Sequence, residues 1–277
     1  LVSGRALDAL RISALALRVS NALSDDMDTL RTSLLPSLLD SVALNRDRGR
    51  PEVRVYEIAS AFLARVGDKN VQPDEPLRLA AVATAGATAD SAREAFYTLK
   101  SVLAGCVESL TAPACTYQRA AGHLFHPGRC AAVTLEGRQL GYIGELHPTV
   151  AAYRKIEGRL VAFEIDVEPV LAASAIQRAK SLPRFPSVDR DLAVVVEEHV
   201  AAGALLATIK EASGDLLELA RAFDEYHGAQ VPEGHKSIAF TLTFRSPERT
   251  LTDAEVDKPI SEIRLRLEKK HGARFRE

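Results

Sequence analysis

A chain of 277 residues exceeds the usual size of one domain, so two domains are expected. At 47% hydrophobic and 26% charged it is an ordinary globular composition, and a formal net charge of -2 excludes a global field that would draw in nucleic acid or an anionic membrane. No apolar run is long enough to cross a bilayer, and the three cysteines (Cys106, Cys115, Cys130) suit neither a disulfide framework nor a metal pair, which leaves buried free thiols in a reducing cytosol.

The opening segment, LVSGRALDALRISALALRVS, has the Arg and Ser of a transit peptide but no initiator Met. Because it runs directly into structured sequence, it reads as the interior of a longer polypeptide. Leu35, Leu38, Leu39 and Val42 then repeat at helical spacing, with Pro36 placed for a first turn and NRDRG (45–49) closing the helix. VRVYEIASAF (53–62) and LRLAAVAT (77–84) read as strands, separated by a polar loop at 65–76.

A long helix is predicted over 91–110. Phe96, Leu99, Val102, Leu103, Cys106, Val107 and Leu110 form its apolar stripe, and Asp90 or Ser91 is placed to cap it. Residues 130–135 and 139–145 form a hairpin turning at Glu136-Gly137, and 159–166 adds a strand. The first domain, 1–172, is therefore α+β with a largely antiparallel sheet. AASAIQRAKSLP has weak periodicity and ends at a proline, so 173–182 reads as a linker.

The second domain, 183–277, reads as a βαββαβ sandwich. Its elements are a strand at 190–196, a helix near 201–213 stopped by Gly214, a strand at 216–226, a loop at 225–236 and a strand at 237–245. A final helix with Thr252 and Glu255 as a capping box, and Pro259 kinking its second turn, leads to a last strand. Ile238, Phe240, Leu242 and Phe244 share one face of the 237–245 strand; Ala239, Thr241, Thr243 and Arg245 share the other.

For chemistry, His123, His126, Glu145 and His147 have metal-ligand residue types, but proline follows two of the histidines and no signature is completed, so turn-forming residues beside a hairpin are the better reading. GATADS (86–91) lacks the second glycine and lysine of a phosphate loop, and no nucleophile has a convincing partner. A βαββαβ sheet with one face bare of helices suits RNA, and KSIAFTLTF resembles the RNA-recognition strand motif whose aromatics stack on bases. The alternation puts Phe240 and Phe244 in the core instead. Thr241, Thr243 and Arg245 on the other face would make polar and phosphate contacts, with Arg184, Arg190, Arg249, Arg274 and Arg276 as further phosphate partners. Residues 183–277 carry 14 Lys and Arg against 17 Asp and Glu, a net of -3, so any grip on RNA must be local.

FPSVDRDLAVVV (185–196), FDEYHG (223–228), PEGHKSIAFTLTFR (232–245), RTLTDAEV (249–256) and HGARFR (271–276) together resemble the ferredoxin-fold anticodon-binding domain that closes the beta subunit of bacterial phenylalanine–tRNA ligases. NALSDDMDTLRTSLLPSLLDSVALNRDRG (21–49), VRVYEIASAF, EAFYTLKS (94–101), FHPGRCAAV (125–133), LGYIGELHP (140–148) and GRLVAFEID (158–166) resemble the catalytic-like domain of the same subunit, in family order. LVS at the start resembles the end of a family strand, which implies an incomplete class II synthetase-like sheet domain with upstream editing regions outside this sequence.

Class II synthetases use a motif-2 arginine on ATP and a glycine-rich motif 3. The matching regions, VRVYEIASAFLAR and GRLVAFEIDVEPV, keep neither feature. The resemblance thus implies a domain with no catalytic, cofactor-binding or metal residue, which scaffolds an alpha subunit in a cytoplasmic (αβ)2 heterotetramer. It further implies that ATP and Mg2+ serve the holoenzyme mainly outside this chain, and that the second domain binds the anticodon region of tRNA(Phe). The alternative from another class is a stand-alone RNA-binding or regulatory paralogue.

Overall fold

Leu35, Pro36, Leu38, Leu39 and Val42 are all buried on one side of a helix, as their spacing requires. In the computed structural model, which describes residues 1–65, 72–176, 182–228 and 230–275, that helix is α2 (Leu35–Asp47) of the first of two compact units, Leu1–Gln177 and Arg178–Glu277. The unit's other elements are α1 (Gly4–Ala9), β1 (Arg54–Ser60), β2 (Leu77–Ala85), α3 (Ala89–Ser109), β3 (Thr116–Arg119), β4 (Phe125–Leu135), β5 (Arg138–Leu146), α4 (Pro148–Tyr153), β6 (Arg159–Asp166) and α5 (Glu168–Ala173). The six strands form one sheet in the order β1-β2-β6-β5-β4-β3, antiparallel at every step.

Strand alternation divides the sheet between two cores. Ala80, Val82, Leu160 and Ala162 pack with α2, while Ala81, Ala83, Val161 and Phe163 pack with Leu99, Leu103 and Val107 of α3. Burial on both faces explains why LRLAAVAT is apolar throughout. At the β4–β5 turn Glu136 and Gly137 have φ of 49° and 82°, the paired positive values of a tight hairpin. On β5, Gly141 lies so close to β6 that a Cβ there would stand 2.0 Å from the Glu164 carbonyl oxygen.

Several details differ from expectation. The cap of α3 is Thr88, whose extended backbone lets its hydroxyl accept from the Ser91 N–H; Asp90 and Ser91 already lie inside the helix. Val102 (50% exposed), Cys106 and Leu110 fall on the flank of α3, and the sheet takes only the narrower row Ala92, Leu99, Leu103 and Val107. Of the three free thiols only Cys130 is buried. Most of the polar loop at 65–76 (66–71) and of the linker at 173–182 (177–181) lies outside the described residues, although Ala173 ends α5.

The second unit consists of β7 (Val188–Glu197), α6 (Ala202–Ser213), a 3-10 turn over Gly214–Leu216, β8 (Leu217–Tyr226), β9 (His235–Phe244), α7 (Asp253–His271) and β10 (Arg274–Phe275). Its sheet order is β10-β7-β9-β8, antiparallel throughout, with β7 and β8 parallel across β9 through the α6 crossover. Ile238, Phe240, Leu242 and Phe244 are at most 1% exposed and join Leu205, Ile209, Val256, Ile263 and Leu267 from α6 and α7 in one core. Both helices therefore cover the same face. The sequence correctly assigned these two phenylalanines to packing.

Candidate nucleic-acid interface

The face of the second sheet opposite α6 and α7 follows from the strand register. Asp189 stands opposite Thr243, Asp191 opposite Thr241, and Arg221 of β8 also faces Thr241. Leu219 faces Thr243, Asp224 faces Ala239 and Tyr226 faces Ser237; at the far edge Arg274 faces Val195. Opposed residues share a face, so all of these project on the open side.

Thr241 donates its hydroxyl proton to Asp191 Oδ1 at 2.8 Å. With Asp189 and Asp191 side by side, the middle of the face repels phosphate, and its hydroxyls and carboxylates suit the N–H edges of bases. Cations frame it from the edges: Arg221 on β8 and Arg274 on β10 have no carboxylate partner among the described residues. Arg184 is exposed and likewise unpaired among them.

The remaining predicted arginines are committed elsewhere. Arg190, opposite Leu242, lies on the helix-bearing face and donates to Asp253 Oδ1 at 2.5 Å in the first turn of α7. Arg245 donates through Nε to Glu218 Oε2 at 2.7 Å and through Nη1 to the Phe185 carbonyl at 2.5 Å. Arg249 pairs with Glu255, whose Oε2 also accepts from the Thr252 amide at 2.9 Å, completing the predicted capping box. Those donors hold the Glu255 carboxyl down at about 2. Arg276 lies outside the described residues.

Sequence alternation did not reveal Leu219, Arg221 and Phe223 as neighbours on an exposed strand. Two register shifts, at Leu217/Leu219 and Ala222/Asp224, break the parity of LELARAFDEY, and a single parity cannot be read through two bulges. The usable signal was the run of apolar residues at 219 and 223 flanking an arginine.

The first unit has no comparable open chemistry. Arg78 is spent on Glu164 at 3.3 Å, Asp166 at 3.0 Å and the Thr32 carbonyl at 2.8 Å. Buried Glu145 is shared by Arg129 and Arg159 beside a cavity of about 160 Å3 lined by Leu146, Ala151, Ile156 and Leu160. With these guanidiniums neutralised, the sheet offers no cradle for a triphosphate, and ATP does not fit here. The histidine pair is local: His126 and His147 stack at 6.3 Å, and each Nδ1 accepts from a nearby backbone N–H, of Gly128 and Thr149. Among the described residues no group of three or more His, Cys, Asp or Glu could hold a metal ion.

Comparison with known proteins agrees with this geometry. Residues 1–167 match the family model "Phenylalanyl tRNA synthetase beta chain CLM domain", and residues 183–276 match "Ferredoxin-fold anticodon binding domain". The chain is 38% identical over 287 residues to the phenylalanine–tRNA ligase beta subunit of Moorella thermoacetica, covering 100% of this chain and 35% of that one. It is 37% identical over 266 residues to the same subunit of Symbiobacterium thermophilum, covering 94% and 30%. It thus spans about a third of the length of these relatives. A solved pyrrolysyl tRNA synthetase of Desulfitobacterium hafniense superposes with a TM-score of 0.49 at 13% identity over 61% of this chain and 56% of that one, too slight a likeness to carry an argument.

Proposed function

Because this chain belongs to the phenylalanyl-tRNA synthetase beta-chain family, we propose that it serves as the synthetase-like and anticodon-binding portion of a phenylalanine–tRNA ligase beta subunit. The observation that carries this reading is the ordered pair of matches across 1–167 and 183–276, each falling on one unit of the fold. The functional division runs 1–172 and 183–277, with 173–182 between them.

In this reading the first unit scaffolds a catalytic alpha subunit within an (αβ)2 assembly of the cytoplasm. Committed arginines and the missing triphosphate cradle argue that ATP and Mg2+ are held by the partner, which activates phenylalanine and esterifies it to its tRNA. No helix among the described residues is long and apolar enough to cross a membrane. The open face of the second unit holds the anticodon region of tRNA(Phe). Thr241 and Thr243 contribute polar contacts, and Arg184, Arg274 and Arg276 phosphate contacts, while Arg190, Arg245 and Arg249 hold the frame on which these are presented.

The test is reconstitution. Co-expression with the alpha subunit of the same organism should give a stable complex that charges tRNA(Phe), with activity lost when either subunit is left out. A chain that binds RNA but never captures an alpha subunit would instead be a stand-alone RNA-binding protein.

A further inference from the structure

Strand β8 forms a free edge of the second sheet, since its only partner is β9. Exposed edge strands are usually protected by charge or irregularity, yet this one presents Leu219 at 56% and Phe223 at 51% exposure. Phe223 is the extra residue of the bulge between Ala222 and Asp224. Ala222 packs against the core opposite Phe240, whereas Phe223 is absent from the core cluster, so it goes with Asp224 to the open side. Arg221, two residues back on that side, has neither an ion pair nor a hydrogen bond among the described residues.

The bulge is thus a device that takes an aromatic ring out of the packing and stands it beside an uncommitted guanidinium. Leaving a ring in water forgoes the favourable burial that the neighbouring core positions obtain. Local charge narrows what could cover it. Asp224 and Glu225 follow directly, and Asp189 and Asp191 lie further in, so an extended phosphate backbone is disfavoured everywhere except at Arg221. An apolar ring with one adjacent cation and acidic surroundings fits a single unpaired nucleotide, its base on the ring and its phosphate on the arginine.

We propose that Phe223 is a base-stacking residue of this interface and that Arg221 holds the phosphate of the same nucleotide. This rests on the anticodon-binding reading and deepens it: affinity at this edge comes from stacking, with one phosphate contact. Removing the ring should weaken binding without changing its salt dependence. Removing the arginine should lower the salt slope by the increment of one phosphate on a single strand, about 0.7.

The experiment titrates tRNA(Phe) with the complete natural assembly that carries this chain, at several salt concentrations, for wild type, F223A, F223Y and R221Q. F223A is expected to bind about 5- to 150-fold more weakly at an unchanged salt slope. F223Y should restore affinity, and R221Q should reduce the slope. Equal binding by F223A and wild type would overturn the proposal, as would failure of F223Y to restore binding. If F223A instead loosens the assembly on size exclusion while tRNA affinity holds, the edge is a protein contact and the RNA proposal fails. Wild type that binds no tRNA would remove the anticodon-binding reading itself, a different result from an indifferent F223A.

Discussion

Arg245 and Glu218 meet at 2.7 Å, joining the residue that follows β9 to the first bulge of β8. The same guanidinium holds the Phe185 carbonyl, so one side chain pins the chain entering β7, the end of β9 and the start of β8. Arg245 is thereby a positioning residue for the open face.

Replacing Arg245 with Ala should destabilise the second unit. The ion pair is partly exposed (26% and 43%) and is worth about 0.2–1 kcal/mol after solvent screening. The bond to the Phe185 carbonyl adds about 1 kcal/mol. In a urea titration, R245A combined with E218A should cost less than the sum of the two single changes; strict additivity would show that the pair is idle.

The α7 cap predicts an acid dependence. The folded carboxyl of Glu255 titrates near 2, below its ordinary 4.5, so the folded state binds fewer protons than the unfolded chain between those values. Its contribution is complete above about 4.5 and fades as pH falls toward 2. Amide exchange in the first turn of α7 should accelerate over that window in wild type and show a smaller pH response in E255Q. T252A, which removes the capping hydroxyl, should cost about 1 kcal/mol at neutral pH.

Glu164 has the opposite sign. Burial is the leading cause and raises its carboxyl above 4.5, against the pull of Arg78 and the bonds from Leu34 N–H (2.6 Å) and Ser33 (3.0 Å). Here the folded state holds the proton more tightly, so stability is greatest below about 4.5 and declines as pH rises toward the raised value. In urea unfolding of the chain, E164Q should flatten that decline. An unchanged pH profile would show that Glu164 does not titrate in the window.

Gly141 admits no side chain. A Cβ there would sit 2.0 Å from the Glu164 carbonyl oxygen, which is backbone and cannot swing away. G141A should therefore force β5 and β6 apart and leave little folded first unit by circular dichroism, whereas the same change at Gly105, with nothing within 4 Å, should be tolerated.

Much of this was legible in the sequence because period and punctuation agreed. Leu35 to Val42 gave α2, Glu136-Gly137 gave the hairpin, Thr252 and Glu255 gave the cap, and the parity of Ile238 to Phe244 separated core from open face. Short elements such as β3 (TYQR) were not legible, since four polar residues carry no period. The interface was legible only in part. Arginine counting cannot tell Arg274, which is unpaired among the described residues, from Arg190, which is fastened to Asp253. Nor can alternation follow β8 through two bulges to Phe223.

The central claim is that the second unit recognises the anticodon region. It is tested most directly by comparing the affinity of the complete assembly for tRNA(Phe) with that for the same tRNA carrying a replaced anticodon loop. The account predicts at least about tenfold weaker binding of the altered tRNA, a loss of about 1.4 kcal/mol. Equal affinity for the two would contradict it.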